Sequence, residues 1–579
     1  MGKQKPTRRH SFCLAGKLAL SLASAASLGA APTFSKEVAP ILFQHCSTCH
    51  RQNGIGSNAP FASYETVRPW AKAIKEKVLL REMPPWPADP KVSVKFRNDS
   101  RLSQRDIEIL VAWANAGAPE GTPGDLPALP NYVQGWQHPS GVQPDLVISL
   151  PGDFQAPARG EIPYLRYMAK VPLAEDRWIA ASQARPGNPA LVHHMAITEM
   201  ALDNGASANQ DDPFTLLAHQ MGFRNDLGSA RPAVTVPSNP AVFDMLGVYT
   251  PGSAIELYPD DSAKLLRGGK NLYLNFNIHY QAVGRPERDR SMIAFWFRPG
   301  PPKHQLFRVP GAGETILANG KELLTDVPGV KAEGLRAVLP PIPPFAENYE
   351  LIGITAYPEP VTIYQFQPHA HLRAKDFKYS VVYPDGHEEI VLSVPKYDFR
   401  WQLAYDLEVP LKLPAGSKMI VTAHYDNSRN NRFNPAPEKE VYFRDQNQSW
   451  DEMFTPFMQY SVDSRDASSA APTDRPERDV LPIVEVVGCL QQSRNGTWGV
   501  IRAGDPVQSD TQSATSAGLR AAQTKPLGTR QYELLGVSVF HPQSYEGQKV
   551  VVKGLRLPSS SVHRLNVTSL QVANPSCAP

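Results

Sequence analysis

The sequence predicts a multidomain, mostly β chain: a small all-α domain, then two all-β, jelly-roll-like sandwiches, then a small C-terminal β-barrel of oligonucleotide/oligosaccharide-binding shape. Three observations carry this. Helical periodicity is confined to the region before Gly121, where Ile107, Leu110, Val111 and Ala114 fall on one face. From 146 to 463, short runs rich in β-branched and aromatic residues are separated by Pro, Gly and Asn. Five further strand-like runs follow a Ser/Ala/Pro-rich stretch near 464–480. A length of 579 residues fits three or four domains at roughly 150 residues each.

The expected boundaries are 1–31 for an export signal, 32–121 for the helical domain, 122–145 for a linker, 146–296 and 297–463 for the sandwiches, 464–480 for a second linker and 481–579 for the barrel. Lys3, Lys5, Arg8 and Arg9 form a basic start, and an Ala/Ser/Leu-rich run from Leu18 to Ala31 ends in small residues. That is the pattern of a cleaved secretory signal, with Lys17 arguing against a membrane anchor. A periplasmic or secreted location follows, with no stable membrane span. A net charge of +3 shows no basic stripe and excludes nucleic acid as a partner.

In the helical region, Ser35 can cap a short helix towards Cys46, and Ser63 another from Tyr64 to Arg81 bent at Pro69. Ser103 with Asp106 makes a capping-box pattern before the helix to Ala116, which Gly117 stops. Strands are expected at Asn271–His279, Phe377–Tyr383 and Lys418–Tyr425. In the last domain they are expected at Val484–Leu490, Thr497–Arg502, Tyr532–Phe540, Lys549–Leu557 and Arg564–Val572. Of five cysteines, Cys13 lies in the signal, Cys46 and Cys49 share one motif, and Cys489 and Cys577 bracket the last domain, where they can pair in an exported protein.

Cys46-Ser47-Thr48-Cys49-His50 has the spacing of a c-type haem attachment site: two thiols for the vinyl groups, and His50 beneath the iron as axial ligand. Met83, in Met83-Pro84-Pro85-Trp86, lies where small cytochromes c offer the sixth ligand. His45 is the rival, too close to the haem-binding turn to reach the far face easily. A zinc reading of Cys46, Cys49 and His50 lacks a fourth ligand. A His/Met pair raises the reduction potential relative to His alone and suits an electron carrier.

Four segments of the β region carry metal-ligand chemistry: Val192-His193-His194-Met195, Asn277-Ile278-His279-Tyr280, Pro368-His369-Ala370-His371-Leu372 and Trp450-Asp451-Glu452-Met453. Each alone is weak, because a lone strand histidine is more often structural and a lone methionine is usually core. His369 and His371, two apart, would point to one face of a strand. His193 and His194 are adjacent and can share a metal only at a bulge or strand end. Imidazole suits copper, zinc and iron, whereas a thioether selects Cu(I).

In this order the segments resemble the copper type II, ascorbate-dependent monooxygenases, the family of dopamine β-hydroxylase and peptidylglycine hydroxylase. His424-Tyr425, the run Asp426 to Pro435 and Trp450 resemble its bacterial branch, which is fused to a cytochrome c domain. The resemblance spans roughly Leu146 to Val462. It implies that His193, His194 and His279 hold an electron-transfer copper, and that His369, His371 and Met453 hold the oxygen-binding copper and form the catalytic site. It further implies two coppers and one haem c per chain, and hydroxylation of an activated C–H bond, one atom of O2 entering a small-molecule substrate. The electron donor is an ascorbate-like reductant or a redox protein, with electrons relayed through the haem. Gln367 stands where the peptide-amidating branch has an arginine that grips a carboxylate, and Phe457 where the family usually has tyrosine. No cysteine lies between Cys49 and Cys489, so the cysteine framework of the animal enzymes is absent. Amidation is therefore disfavoured and the substrate left open. The alternatives are a non-catalytic periplasmic copper and haem electron-transfer protein, and a dehydrogenase that uses the haem as electron sink while the β domains bind substrate.

Overall fold

A computed structural model describes residues 31–52, 54–130, 132, 135–201, 241–310, 313–324, 339–443, 449–464, 467, 480–558 and 562–577. All but the last residue of the expected signal, and most of the second linker, lie outside these. The chain is mostly β-sheet, 40% strand against 13% helix, in several sheets consistent with multiple sandwich domains.

The N-terminal region holds short helices at Ala39–His45, Tyr64–Val67, Ala71–Leu79 and Gln104–Asn115. Ser103 caps the last one, its hydroxyl accepting from the Asp106 N–H. The first begins earlier than its sequence suggests. A π-helical turn opens at Phe34, so Ser35 lies buried inside it rather than capping it. Pro69 sits in a 3-10 turn that divides the second expected helix in two. Phe34, Leu42, Val67, Leu110 and Trp113 close a small core.

One segment of this region belongs elsewhere. Trp86, Ala88 and Phe96 are buried in the core of the second sandwich. Asp89 and Val94 donate backbone hydrogen bonds to Ser393 and Val391, and Lys95 accepts one from Glu408. The chain after Met83 is thus a strap laid along the strand Tyr405–Leu413, with Trp86 edge-on to Tyr405 at 5.0 Å.

The two sandwiches are not separate bodies. A long sheet runs Leu146–Ser149, Met292–Arg298, Arg177–Arg185, Ser262–Leu266, His304–Pro310, Thr455–Val462, Val361–His369, Tyr405–Leu413. The strand His304–Pro310 pairs with Ser262–Leu266 of the first half and Thr455–Val462 of the second. Buried ions pin this seam. Arg308 binds Glu256 through two nitrogens at 2.9 Å and reaches Gln365 and Gln459, and Lys264 meets Asp244 at 2.8 Å.

A four-stranded sheet faces the first half, in the order Leu165–Lys170, Leu272–Tyr280, Val192–Ala201, Ala241–Tyr249. A six-stranded sheet containing Tyr349–Ala356, Lys418–Tyr425 and Ala374–Val382 faces the second half. Along Lys418–Tyr425 the period of two divides the residues. Met419, Val421, Ala423 and Tyr425 enter the sandwich core, while Ile420 packs outward with Ile352 and Val382. That outer face is covered by the last domain, whose Val486, Leu534, Val552 and Leu565 join the same cluster. Lys418 is buried in this junction, its ammonium donating to the carbonyls of Gly536 and Val567, and burial pushes its pKa down to about 7.

All five strand-like runs of the last domain contain strands, and their pairings close a ring: Ile483–Gln492, Trp498–Ala503, Arg530–Leu535, Arg564–Asn574, Lys549–Leu557 and back to Ile483–Gln492. The third run stops at Leu535 because Gly536 turns the chain with φ +59°. A helix, Ser516–Thr524, was not visible in the pattern. Cys489 and Cys577 are disulfide-bonded across 88 residues.

Two expectations follow. Replacing both cysteines by serine should lower stability by about 2–4 kcal/mol in denaturant unfolding, and mass mapping of native protein should find the pair oxidised. His424 lies between Asp376 and Glu350 of the neighbouring strands, at 2.6 and 3.4 Å, and their hydrogen bonds raise its pKa to about 9. The folded pKa exceeds the unfolded value, so this stabilisation is complete below pH about 6.5 and is lost as pH rises through about 9. Urea midpoints at pH 6 and pH 9.5 should differ more in the native protein than in His424→Gln.

Candidate metal centre

The strand Val192–Ala201 solves the problem of two adjacent histidines with a bulge. Its register against Leu272–Tyr280 slips between Val192 and His194, which leaves His193 as the extra residue and sets His194 opposite His279. All three rings therefore converge. Their ligand atoms lie within 4.8 Å of one another. The Nδ1 atoms of His193 and His279 are 3.2 Å apart, as are those of His194 and His193. Burial pushes the pKa of His193 down to about 4, and His194 and His279 well below the usual imidazole range, the latter two further lowered by neighbouring histidines. Three neutral imidazoles whose Nδ1 atoms face one another form a donor set that fits a soft or borderline cation.

His369 ends the strand Val361–His369, and His371 lies two residues beyond it, just before the turn, with the rings 5.5 Å apart and nearly perpendicular. Each has its Nδ1 engaged. His369 meets Gln402 Oε1 at 2.6 Å, and His371 meets the Asp451 carbonyl at 3.0 Å. Both acceptors require the proton on Nδ1, which leaves the lone pair of each ring on Nε2. Glu452 is fully buried and gathers the third residue. Its carboxylate accepts from the backbone N–H of His371, Arg373 and Met453, at 2.8, 2.6 and 3.2 Å. Burial pushes its pKa up to about 7, with Arg373 and those N–H groups pulling the other way. Met453 is itself buried, its carbonyl accepting from Tyr425. The two imidazoles are of a donor type that suits copper, and Glu452 brings the Met453 backbone to that of His371.

Both sets share one aromatic cage. Phe399 lies 5.1 Å from His193, 5.7 Å from His279 and 5.8 Å from His371, centre to centre. Tyr164 stacks on His279 at 4.4 Å and reaches His371 at 5.6 Å. His194 and His369 are 5.8 Å apart. A groove of about 440 Å³ opens beside His279, lined by Arg159, Glu161, Ile162 and Gln281 among others. Gln367 is buried; its Nε2 donates to the Gln402 carbonyl at 3.5 Å, while its Oε1 is buried without a hydrogen-bond partner.

The Cys46–His50 turn is suited to haem. Cys46 and Cys49 are unbonded to each other and half-buried. The His50 Nδ1 lies 3.1 Å from the Ala59 carbonyl, which leaves Nε2 for iron, and the ring stacks on Phe61 at 4.4 Å. Gly56 presses on its other side, where a β-carbon would come within 2.7 Å of Nδ1. Met83 is half-buried, and no hydrogen bond joins it to this turn among the described residues. The turn abuts the first sandwich: a β-carbon at Gly252 would meet Cys49 Sγ at 3.9 Å. Tyr249, raised in pKa by burial and by Cys49, pairs with Met195 next to His194.

The chain matches no family model, and no curated protein matches it.

Phe399, Tyr164, Gln402 and the anchoring role of Glu452 were not legible in sequence. Glu452 directly precedes Met453 in the sequence, but only its three N–H partners reveal what it does. Glu452→Ala would leave three buried donors without acceptors and should cost at least about 3 kcal/mol in denaturant unfolding.

Proposed function

We propose that this chain is an exported monooxygenase of the copper type II class that binds one haem c and two copper ions and hydroxylates an activated C–H bond of a small molecule with O2. The observation that carries this reading is the meeting of two histidine sets, one of three rings and one of two rings whose backbone Glu452 ties to that of Met453, around Phe399. His193, His194 and His279 would hold one copper; His369, His371 and Met453 would hold the other. Cys46, Cys49, His50 and Met83 would hold the haem, in a domain of cytochrome c type. Bound copper would supply dioxygen activation, and the haem one-electron transfer.

The chain's own residues do the positioning. Asp451 and Gln402 hold the proton on Nδ1 of His371 and His369, and Glu452 ties the Met453 backbone to that of His371. Phe399 and Tyr164 keep water from the histidine faces. The groove beside His279 gives a small molecule a way in. The contact of Cys49 with Gly252, one strand from His194, supports electron entry through the haem. The Cys489–Cys577 disulfide supports an oxidising compartment. No helix among the described residues is long and apolar enough to cross a membrane.

Purified protein should contain two coppers and one haem c that survives acid–acetone extraction, and should consume O2 in step with a hydroxylated product. Loss of pigment to the solvent removes the haem assignment. Metals bound without O2 consumption under any reductant favour the electron-transfer alternative. Met453→Ala should lose most Cu(I) affinity at one site while the three-histidine site still binds and is still reduced. A structural methionine would instead cost about 2–5 kcal/mol with both coppers retained.

A further inference from the structure

Gln402 touches both histidine sets. It lies 33 residues beyond His369, on the loop that also carries Phe399, and is buried. Its Nε2 donates to the Phe399 carbonyl at 3.2 Å, which settles the orientation of the amide and turns Oε1 towards His369. At 2.6 Å that oxygen accepts from Nδ1 of His369, so the lone pair of His369 sits on Nε2. The same Nε2 that donates to Phe399 also lies 3.2 Å from Nδ1 of His194. This is the nitrogen of His194 that faces His193, and so the one a metal in the three-histidine set would take. A metal and an N–H donor cannot share one imidazole lone pair.

We propose that Gln402 is a positioning residue that couples the two metal sites: it selects the metal-binding nitrogen of His369, and it must release His194 when the three-histidine site fills. The proposal rests on the reading that both sets bind copper. On release, the amide keeps Phe399 and His369 as partners, so filling the first site changes how firmly His369 is held without undoing its tautomer. The two sites then bind metal interdependently, although no histidine is shared between them.

The test uses the full chain, with Cu(I) added anaerobically against a competing chelator. Three proteins are compared: native, Gln402→Leu, which keeps the volume and removes both contacts, and Gln402→Glu, which keeps an acceptor for His369 and loses the donor to His194. Each is also made with His279→Ala, which disables the three-histidine site. In the native background, His279→Ala should shift Cu(I) affinity at the second site. In Gln402→Glu that shift should vanish while second-site affinity stays within a few-fold of native. In Gln402→Leu second-site affinity should fall roughly 10–100-fold. Nitrogen-15 imidazole NMR of metal-free protein gives a readout independent of metal: His369 should carry its proton on Nδ1 in native and Gln402→Glu protein, and lose that preference in Gln402→Leu. Two Cu(I) bound by Gln402→Leu with native affinity, or an unchanged His369 tautomer, overturns the proposal alone. Failure of the native protein to bind Cu(I) at all overturns both it and the copper assignment.

Discussion

The separation of the two histidine sets depends on one strand. His304–Pro310 belongs to both halves, parallel to Ser262–Leu266 on one side and antiparallel to Thr455–Val462 on the other. Hydrogen bonds alone would let such a seam slip by a residue, which would carry every side chain to the opposite face. The buried ions remove that freedom. Arg308 is held by Glu256 from the first half and by Gln365 and Gln459 from the second. Asp244 accepts both from the Arg308 backbone and from Lys264. Any other register would strand these charges without partners, a penalty of several kcal/mol for each ion. The 5.8 Å between His194 and His369 is therefore a property of the seam as much as of the loops that carry the rings.

Much of this was legible in sequence where the signal is local. The period-two strands, the Ser103 cap and the Cys-x-x-Cys-His turn are short-range patterns. The demand that adjacent His193 and His194 meet only at a bulge or a strand end follows from strand geometry, and a bulge is there. What stayed hidden is what depends on distant partners. Trp86 and Phe96 look like residues of the helical region, because nothing local says that their core lies beyond residue 316. The boundary near 296 reads as a break, because a strand that joins both halves in one long sheet reads like any other. Gln402 has no pattern at all: a glutamine on a loop becomes informative only when both of its neighbours are seen.

The last domain shows how a bland reading gains content. Among the described residues its closed ring of strands has no cluster of potential metal ligands like the histidine cage, yet it covers a sheet face. Without it, Ile352, Ile420 and Val382 would be exposed and Lys418 would have no reason to be buried. The six-stranded sheet is covered there on both faces, which explains why Lys418, Ile420 and Thr422 on its outer face are as buried as Met419 and Val421 on its inner one.

The strap from Trp86 to Asn98 also sets an order of assembly. Its partners, Ser393 among them, lie some 300 residues further along the chain. A segment made early must wait, extended and with its tryptophan in water, until nearly the whole second half has been synthesised and has paired its strands. Contacts of such long range are slow to form. The seating of the helical region against the second half is therefore fixed late, only once the strand Tyr405–Leu413 has found its neighbours.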